Sequence, residues 1–220
     1  MQPKAVTFDI GGIIYSDDVF KRAIYAALEE LAGDIDGARF EEIYTEHLKS
    51  QSGSLRSKLC IAFLGSLDAK EELMAKATAL WKFSDADLYS DAKKCIEDMR
   101  AAGCAIGIVA NQAATVVDSL KAHGIAPLID FMGVSAIVGI EKPNPEIFSK
   151  ALAALNLQAG DVIHVGNRLD TDVLPAQGLG MRTAWILRGE ANPDPTAADL
   201  ATPDIVLKSL VGLPDAIVEL

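Results

Sequence analysis

The feature that most constrains the fold is an alternation of short apolar runs and helical segments that begins near Ser84. Turn residues bound each apolar run, and the segments between the runs have apolar side chains at helical spacing, which is the pattern of a parallel sheet with helical crossovers. The predicted strands are residues 104–110, 131–135, 161–165 and 182–187, with a last strand after residue 203 and a further apolar run at 136–140. The predicted helices are residues 91–101, 113–123, 145–156 and 172–179, followed by a closing helix after the last strand.

One more strand lies far from the others along the chain. Residues 4–10 form a β-branched and aromatic run that stops at Gly11 and Gly12. From Ser16 to Phe83 the apolar residues recur at helical spacing and predict three or four helices. The sequence therefore predicts an α/β fold: a Rossmann-like parallel-sheet core with a helical module inserted after its first strand. The predicted core comprises residues 1–15 and 86–220, and the predicted insertion comprises residues 16–85.

Charge and hydropathy narrow the class of partner. The 31 acidic and 20 basic side chains give a net charge of −11, which disfavours a nucleic acid or an anionic membrane surface as a partner. The longest apolar stretches are shorter than the ~20 residues of a membrane span, and the first residues lack the pattern of a signal peptide. We therefore expect a cytoplasmic protein, and the sequence predicts no particular oligomeric state.

The cysteines and histidines show no metal-binding or redox spacing. The three cysteines are odd in number and are predicted to be buried free thiols: Cys60, Cys95 and Cys104. His164 lies within a predicted strand and is expected to be a core histidine, whereas His47 and His123 lie on helical stretches and are expected at the surface. The segment 189–202 is rich in Ala, Asp and Pro and is interpreted as a surface connection.

Polar side chains follow four of the predicted strands or apolar runs. Ligands of open parallel sheets bind outside the carboxyl ends of the strands, so these side chains are candidates for one common site. They are Asp9, then Asn111 and Gln112, then Lys142, and finally Asn167, Asp170 and Asp172. The topology predicts that all of them lie on one edge of the sheet.

The same four segments, in this order, resemble the four motifs of the haloacid dehalogenase-like (HAD) superfamily of hydrolases. The matching segments are residues 6–13, 106–111, 141–148 and 165–173, and the likeness extends over essentially the whole chain. The helical module lies where the C1 subclass of this superfamily places its cap domain. The resemblance therefore implies a C1-capped, HAD-like fold whose cap closes over the site.

The resemblance also implies a set of roles. Asp9 would be a nucleophile that forms an aspartyl-phosphate, and Lys142 would neutralise the charge that develops there. Asn111 and Gln112, together with Lys142, would bind the phosphoryl group of a small phosphorylated metabolite. The ligands implied for Mg²⁺ are Asp9, the Gly11 carbonyl, Asn167 and Asp172, with Asp170 as the alternative to Asp172. Nearby cations would favour the charged form of Asp9, so we expect its carboxyl to ionise easily.

Three positions depart from the family pattern. Gly11 stands where the phosphatases of the family carry a second Asp, the general acid and base. Ala110 stands where they carry Ser or Thr, and Asn167 replaces the first acid of the fourth motif. The side chains that follow Gly11 and could replace the missing acid are Tyr15, Asp17 and Asp18.

Three functions are compatible with this set of residues. The first is a Mg²⁺-dependent phosphomonoester hydrolase of modest rate, which Asp9, Lys142 and Asp172 favour. The second is a relative with weak or no catalysis that binds a phosphorylated ligand or a protein partner through the same cleft. The third is a metal-independent 2-haloacid dehalogenase. Against this function, Arg22 is the one arginine close after Asp9 that could hold the carboxylate and halide of such a substrate.

Overall fold

Short apolar and β-branched segments form the central sheet. The computed structural model describes residues 3–220. Within that range six strands form one parallel sheet in the order β3-β2-β1-β4-β5-β6. The strands are β1 (Ala5–Phe8), β2 (Ala105–Ala110), β3 (Phe131–Val134), β4 (Val162–Gly166), β5 (Arg182–Ile186) and β6 (Ile205–Leu207). The parallel, Rossmann-like sheet predicted from the sequence is thus confirmed.

Helices cover the sheet and form the insertion. The helices that follow β1 directly are α1 (Asp18–Ala32), α2 (Gly37–Ser50), α3 (Leu55–Leu64) and α4 (Lys70–Leu80). The remaining helices are α5 (Ala92–Ala101), α6 (Val116–Ala122), α7 (Ser135–Val138), α8 (Glu146–Leu155), α9 (Leu174–Gly178), α10 (Ala197–Leu200) and α11 (Leu213–Val218). The Asp36 carboxylate accepts the N–H groups of Ala38 and Arg39 and so caps α2. Throughout residues 3–220 no helix has the length and apolarity needed to cross a membrane.

The hydrophobic core is divided among the two faces of the sheet and the insertion. Val6 and Phe8 belong to the cluster on one face, whereas Ala5 belongs to the cluster on the other face, as the alternation of a strand requires. Both faces of β1 are fully buried, which is usual for a parallel sheet covered by helices. The four helices α1 to α4, which we call the helical insertion, contain a hydrophobic cluster of their own that includes Leu28 and Phe40.

Several local expectations are corrected or confirmed by burial. The apolar run at 136–140 adds no strand, because the chain turns into α7 directly after β3. His47 is only 4% exposed, so its predicted surface position is wrong. The segment 189–202, interpreted as a surface connection, is exposed or half-buried except at Ala191 and Asn192, and it contains the short helix α10. His164 is a core histidine as predicted, and all three cysteines are buried and free.

Candidate active site

The polar residues at the strand ends surround one cavity. The strands β2, β1 and β4 are neighbours, and their carboxyl ends therefore share one edge of the sheet. A cavity of about 580 Å³ lies at this edge and extends under the helical insertion. The predicted site residues that line it are Asp9, Gly11, Asn111, Gln112, Lys142, Asn167 and Asp170. Asp172 does not line the cavity, because its side chain is fully buried behind Lys142.

Asp9 and Lys142 form the centre of the site. The backbone N–H of Asp9 donates to the Val165 carbonyl at 2.9 Å, which fixes the residue directly after β1. The Lys142 Nζ lies 2.9 Å from Asp9 Oδ1, and the lysine side chain is 2% exposed. Burial alone would lower the pKa of Lys142, but the carboxylates of Asp172 and Asp9 raise it, so the ammonium stays charged.

The protonation of Asp9 differs from the expectation. Burial raises the pKa of its carboxyl to about 6, and the opposing effect of the Lys142 ammonium is too small to prevent the rise. The nearby Asp172 carboxylate also raises the pKa of Asp9. The expectation that Asp9 ionises easily counted a bound metal ion as well as Lys142. Beside the lysine alone, desolvation outweighs the attraction of the ammonium and raises the pKa.

Asp172 acts as the buried counter-ion of Lys142. Its Oδ1 accepts a short hydrogen bond from Lys142 Nζ and lies 3.4 Å from His164 Nε2, and its Oδ2 accepts the N–H of Arg168 at 3.0 Å. Burial alone would raise the pKa of Asp172, but Lys142 and His164 outweigh it and hold the pKa below its usual range. A side chain at Gly166 would collide with this carboxylate, so only glycine fits there.

Asn111 holds the segment around Lys142, and the neighbouring Gln112 lies near Gly11. Asn111 Oδ1 accepts the backbone N–H of Lys142 at 2.7 Å, and Asn111 Nδ2 donates to the Lys142 carbonyl at 2.9 Å. Both groups of the amide are therefore used to fix the backbone of the lysine. The backbone N–H of Gln112 donates to Ser135 Oγ at 3.1 Å, and its side chain lies near Gly11.

The turn after β1 brings Asp17 back to the strand end. Asp17 Oδ2 accepts two hydrogen bonds, from Asn167 Nδ2 at 2.9 Å and from the backbone N–H of Glu190 at 2.7 Å. Asn167 Nδ2 also donates to the Arg188 carbonyl, which leaves Asn167 Oδ1 as the acceptor of this amide. Burial raises the pKa of Asp17 well above its usual value, and the carboxylates of Glu190 and Asp9 add to the rise.

The C-terminal end of α2 and Gln51, which follows it, form hydrogen bonds to the core beside the cavity. Arg168 Nη1 donates to His47 Nε2 at 3.1 Å, and the same guanidinium forms a two-bond ion pair with Asp170. Gln51 Oε1 accepts the N–H of Leu169, and Gln51 Nε2 donates to the Glu190 carbonyl. Burial, together with the Arg168 charge, lowers the pKa of His47 to about 4, so this histidine is neutral near pH 7.

The donor set favours a cation at the cavity floor. Five acidic residues line the cavity against three basic ones, and the carboxylates include those of Asp9 and Asp17. Oxygen donors near β1 and β4 are the Asp9 carboxylate, the Gly11 carbonyl and Asn167 Oδ1, and such ligands suit a hard divalent cation. Among residues 3–220 no three His, Cys, Asp or Glu side chains are grouped as a ready metal centre. Any cation site here would therefore depend on backbone, amide or water oxygens.

Comparison with known proteins identifies the family. The family model for haloacid dehalogenase-like hydrolases matches residues 3–180. The chain belongs to this family. The membership confirms the superfamily that the four motifs indicate.

Full-length relatives of this HAD-like hydrolase are phosphatases by name. The chain is 29% identical to a glyceraldehyde 3-phosphate phosphatase of Methanopyrus kandleri, over 99% of this chain and 98% of the relative. It is 26% identical to a ribulose-1,5-bisphosphate 5-phosphatase of Halopiger xanaduensis, over 90% of each.

Solved structures share the fold at low sequence identity. A β-phosphoglucomutase of Clostridium difficile superposes with a TM-score of 0.73 at 16% identity, over 99% of this chain and 98% of that chain. A 2-haloacid dehalogenase of Pseudomonas syringae superposes with a TM-score of 0.64 at 21% identity, over 99% of each chain. The fold of this HAD-like hydrolase is thus shared by proteins with different reactions.

Several residues of the site were not identified from the sequence of this HAD-like hydrolase. His47 of α2 and Gln51, the residue directly after α2, reach the cavity, and Arg168 and Glu190 meet them from the core. Contacts of this kind join residues more than a hundred positions apart, and of these four residues Arg168 alone lies within one of the four motif segments. The one available signal was local, since Arg168 lies next to the polar residues after β4.

Proposed function

We propose that this HAD-like hydrolase is a Mg²⁺-dependent phosphatase that acts on a small phosphomonoester. The observation that carries the proposal is the position of Asp9 on the floor of the cavity, with Oδ1 2.9 Å from the buried Lys142 ammonium. An oxygen nucleophile beside a fixed positive charge suits attack on a phosphoryl group. The full-length relatives named as phosphatases support the same reaction class.

The roles of the chain's own residues follow from this geometry. The Asp9 side chain is 13% exposed, so its carboxylate can reach a phosphorus atom in the cavity. Its attack would form an aspartyl-phosphate, which water then hydrolyses. Lys142 would stabilise the negative charge on the phosphoryl oxygens, and Asp172 and Asn111 would hold this lysine in position. In this proposal Asn111 acts through Lys142, and Gln112 is the amide that lies nearest to Gly11.

The oxygen donors of the site fit a magnesium ion. We expect the Asp9 carboxylate, the Gly11 carbonyl and Asn167 Oδ1 to hold it, with water and the substrate phosphate as further ligands. When bound, the ion supplies positive charge that offsets the repulsion between a carboxylate and a phosphate. Asp172 already accepts hydrogen bonds at both of its oxygens, so we assign it to Lys142 rather than to the metal.

The helical insertion is proposed to act as the cap of the site, spanning residues 16–85 as the sequence predicts. Its residues Phe20, Arg56 and Trp81 line the same cavity as Asp9. A volume of about 580 Å³ is within the range of ~300–1,000 Å³ that is usual for small-molecule sites. This volume and the sugar phosphates named for the relatives favour a small phosphorylated metabolite as the substrate.

Hydrolysis of p-nitrophenyl phosphate tests the proposal. We expect turnover by the wild type with Mg²⁺, its loss with EDTA, and its loss in Asp9→Asn. Chloride release from 2-chloropropionate that persists in EDTA would instead support a dehalogenase. Thermal stabilisation by phosphorylated metabolites without any turnover would support a binding protein. Either of the last two results would overturn the proposal.

A further inference from the structure

The reaction proposed above requires a source of protons. A phosphate monoester of an ordinary alcohol has a poor leaving group, and its oxygen leaves readily only when a proton is transferred to it. The cavity-lining side chains that could supply one include Asp17, His47, Asp170 and Glu190. The following inference rests on the proposed function and concerns which of these groups transfers the proton.

Three of the candidates are engaged elsewhere. Asp170 is held by two hydrogen bonds from the Arg168 guanidinium, at 3.0 and 2.9 Å. His47 Nε2 accepts a hydrogen bond from the same guanidinium. Glu190 Oε1 accepts the Tyr44 hydroxyl at 2.8 Å, and its Oε2 lies 3.7 Å from Arg168.

Asp17 occupies a different place, directly beside the nucleophile's strand. A Cβ atom built on Gly11 would lie 2.3 Å from Asp17 Oδ1. The Asp17 carboxyl therefore fills the space of a side chain at residue 11, two positions after Asp9. Gly12 and Gly189 also make room for it, because a Cβ on either would lie 2.7 or 2.2 Å from Asp17 Oδ2.

The hydrogen bonds of Asp17 leave one oxygen for chemistry. Both of its partners, Asn167 Nδ2 and the Glu190 N–H, donate to Oδ2 and are neutral. Oδ2 is thus the oxygen that accepts the hydrogen bonds, and Oδ1 is the oxygen next to Gly11. Asp17 is also a residue of the cavity wall, together with Asp9 and Gly11.

The other two residues considered for this role lie elsewhere. Tyr15 is fully buried, and its hydroxyl is 2.7 Å from His123 Nδ1. Asp18 is exposed at the start of α1, and its carboxylate does not line the cavity. Asp17 is therefore the acid of this segment that combines access to the cavity with a position beside Asp9.

We propose that Asp17 is the proton-transfer residue of this hydrolase. When the Asp9 oxygen forms its bond to phosphorus, the bond from phosphorus to the ester oxygen breaks, and that oxygen takes the proton from Asp17 Oδ1. The products are the alcohol, the aspartyl-phosphate and the Asp17 carboxylate. Water then attacks phosphorus and gives its proton to Asp17, the bond from phosphorus to Asp9 breaks, and phosphate leaves.

The first test compares leaving groups. The parameter kcat/KM covers the steps up to phosphoryl transfer, so it reports on the proton given to the ester oxygen. For Asp17→Asn we expect kcat/KM to fall by ~10²–10⁴-fold with an alkyl phosphate such as β-glycerophosphate. It should fall much less with p-nitrophenyl phosphate, whose leaving group needs little protonation. The matched control Asp18→Asn should leave both values unchanged.

The second test moves the carboxyl to residue 11. Gly11 does not have a left-handed φ angle, and the one close obstacle to a Cβ there is Asp17 itself. We expect Gly11→Asp combined with Asp17→Ala to recover at least tenfold in kcat/KM for β-glycerophosphate over Asp17→Ala alone. Circular dichroism of each variant shows whether it is folded.

Distinct results would overturn the two proposals. Wild type without Mg²⁺-dependent turnover, or Asp9→Asn with full turnover, would overturn the proposed function and the proton transfer with it. An active wild type in which Asp17→Asn loses the same factor with both substrates, without recovery in the double variant, would overturn the proton-transfer role alone. Unchanged activity in Asp17→Asn would also overturn the proton-transfer role and leave the proposed function standing.

Discussion

The buried ammonium of Lys142 allows a quantitative prediction for stability. Lys142 Nζ is 2.9 Å from Asp9 and in short contact with Asp172, whose side chain is fully buried. Replacement by Met keeps most of the side-chain volume but removes the charge. Removal of one partner of a buried ion pair costs about 3–5 kcal/mol, because the other charge is left without compensation. We therefore expect Lys142→Met to lower the free energy of unfolding by about 3–5 kcal/mol at pH 7.

The loss should depend on pH in a defined direction. In the wild type Lys142 and His164 outweigh burial and hold the pKa of Asp172 below its usual range, so the stability it contributes is complete at pH 5 and above. Without the ammonium, burial raises the pKa of Asp172 above its usual value. The folded variant then binds more protons than the unfolded chain, and its stability rises as the pH falls. The difference from the wild type should therefore be smaller at pH 5 than at pH 7.

Urea denaturation followed by circular dichroism, at both pH values and in EDTA, measures this difference. The matched control is Lys142→Met combined with Asp172→Asn, which removes both charges and should be more stable than the single variant by about 1–3 kcal/mol. A loss below about 1 kcal/mol at pH 7, an equal loss at both pH values, or a double variant no more stable than the single one would refute the reasoning.

Two further substitutions test how the site is held together. Asn111→Ala removes both hydrogen bonds to the Lys142 backbone and should lower the free energy of unfolding by about 1–3 kcal/mol. In activity assays it should lower kcat rather than raise KM. A rise in KM alone would assign Asn111 to phosphate binding instead. Gly166→Ala places a methyl group against Asp172 and should lower the free energy of unfolding, measured by heat or urea, by about 1–3 kcal/mol. The control Gly178→Ala, whose added methyl group meets no atom within 4 Å, should leave the free energy of unfolding unchanged or raise it. Equal effects of the two substitutions would contradict the packing argument.

The sequence predicted the strand-end residues well because topology alone places them. Asp9 directly follows β1, and Lys142 follows the short helix α7 after β3. The structure brings the two side chains into contact. The orientation of a side chain within a motif could not be predicted in the same way. Spacing does not show whether the Asp172 carboxylate turns to the cavity or to the lysine, since that choice depends on the close approach at Gly166.

Contacts between distant segments of the chain were the second feature that could not be predicted from the sequence. The carboxyl beside Gly11 comes from Asp17, and only the path of the turn after β1 determines which of several nearby acids arrives there. His47 meets Arg168 across 121 positions of the chain, so helical periodicity classified the histidine as a surface residue. Such pairings arise from the packing of the insertion on the core, which the apolar periodicity of the helices does not specify.

The hydrogen bonds between α2 and the core have a consequence for turnover. Tyr44 and Gln51 both bind Glu190, the residue whose backbone N–H orients Asp17. Movement of the insertion away from the sheet would break the bonds from Tyr44 and Gln51, and would so remove part of the support of the Glu190 segment that binds Asp17. Under the proposed function, closure of the insertion over a substrate would therefore also complete the set of reactive groups. A compound too bulky to be enclosed would meet an incomplete enzyme, so selection by size would be expressed in the rate of reaction as well as in affinity.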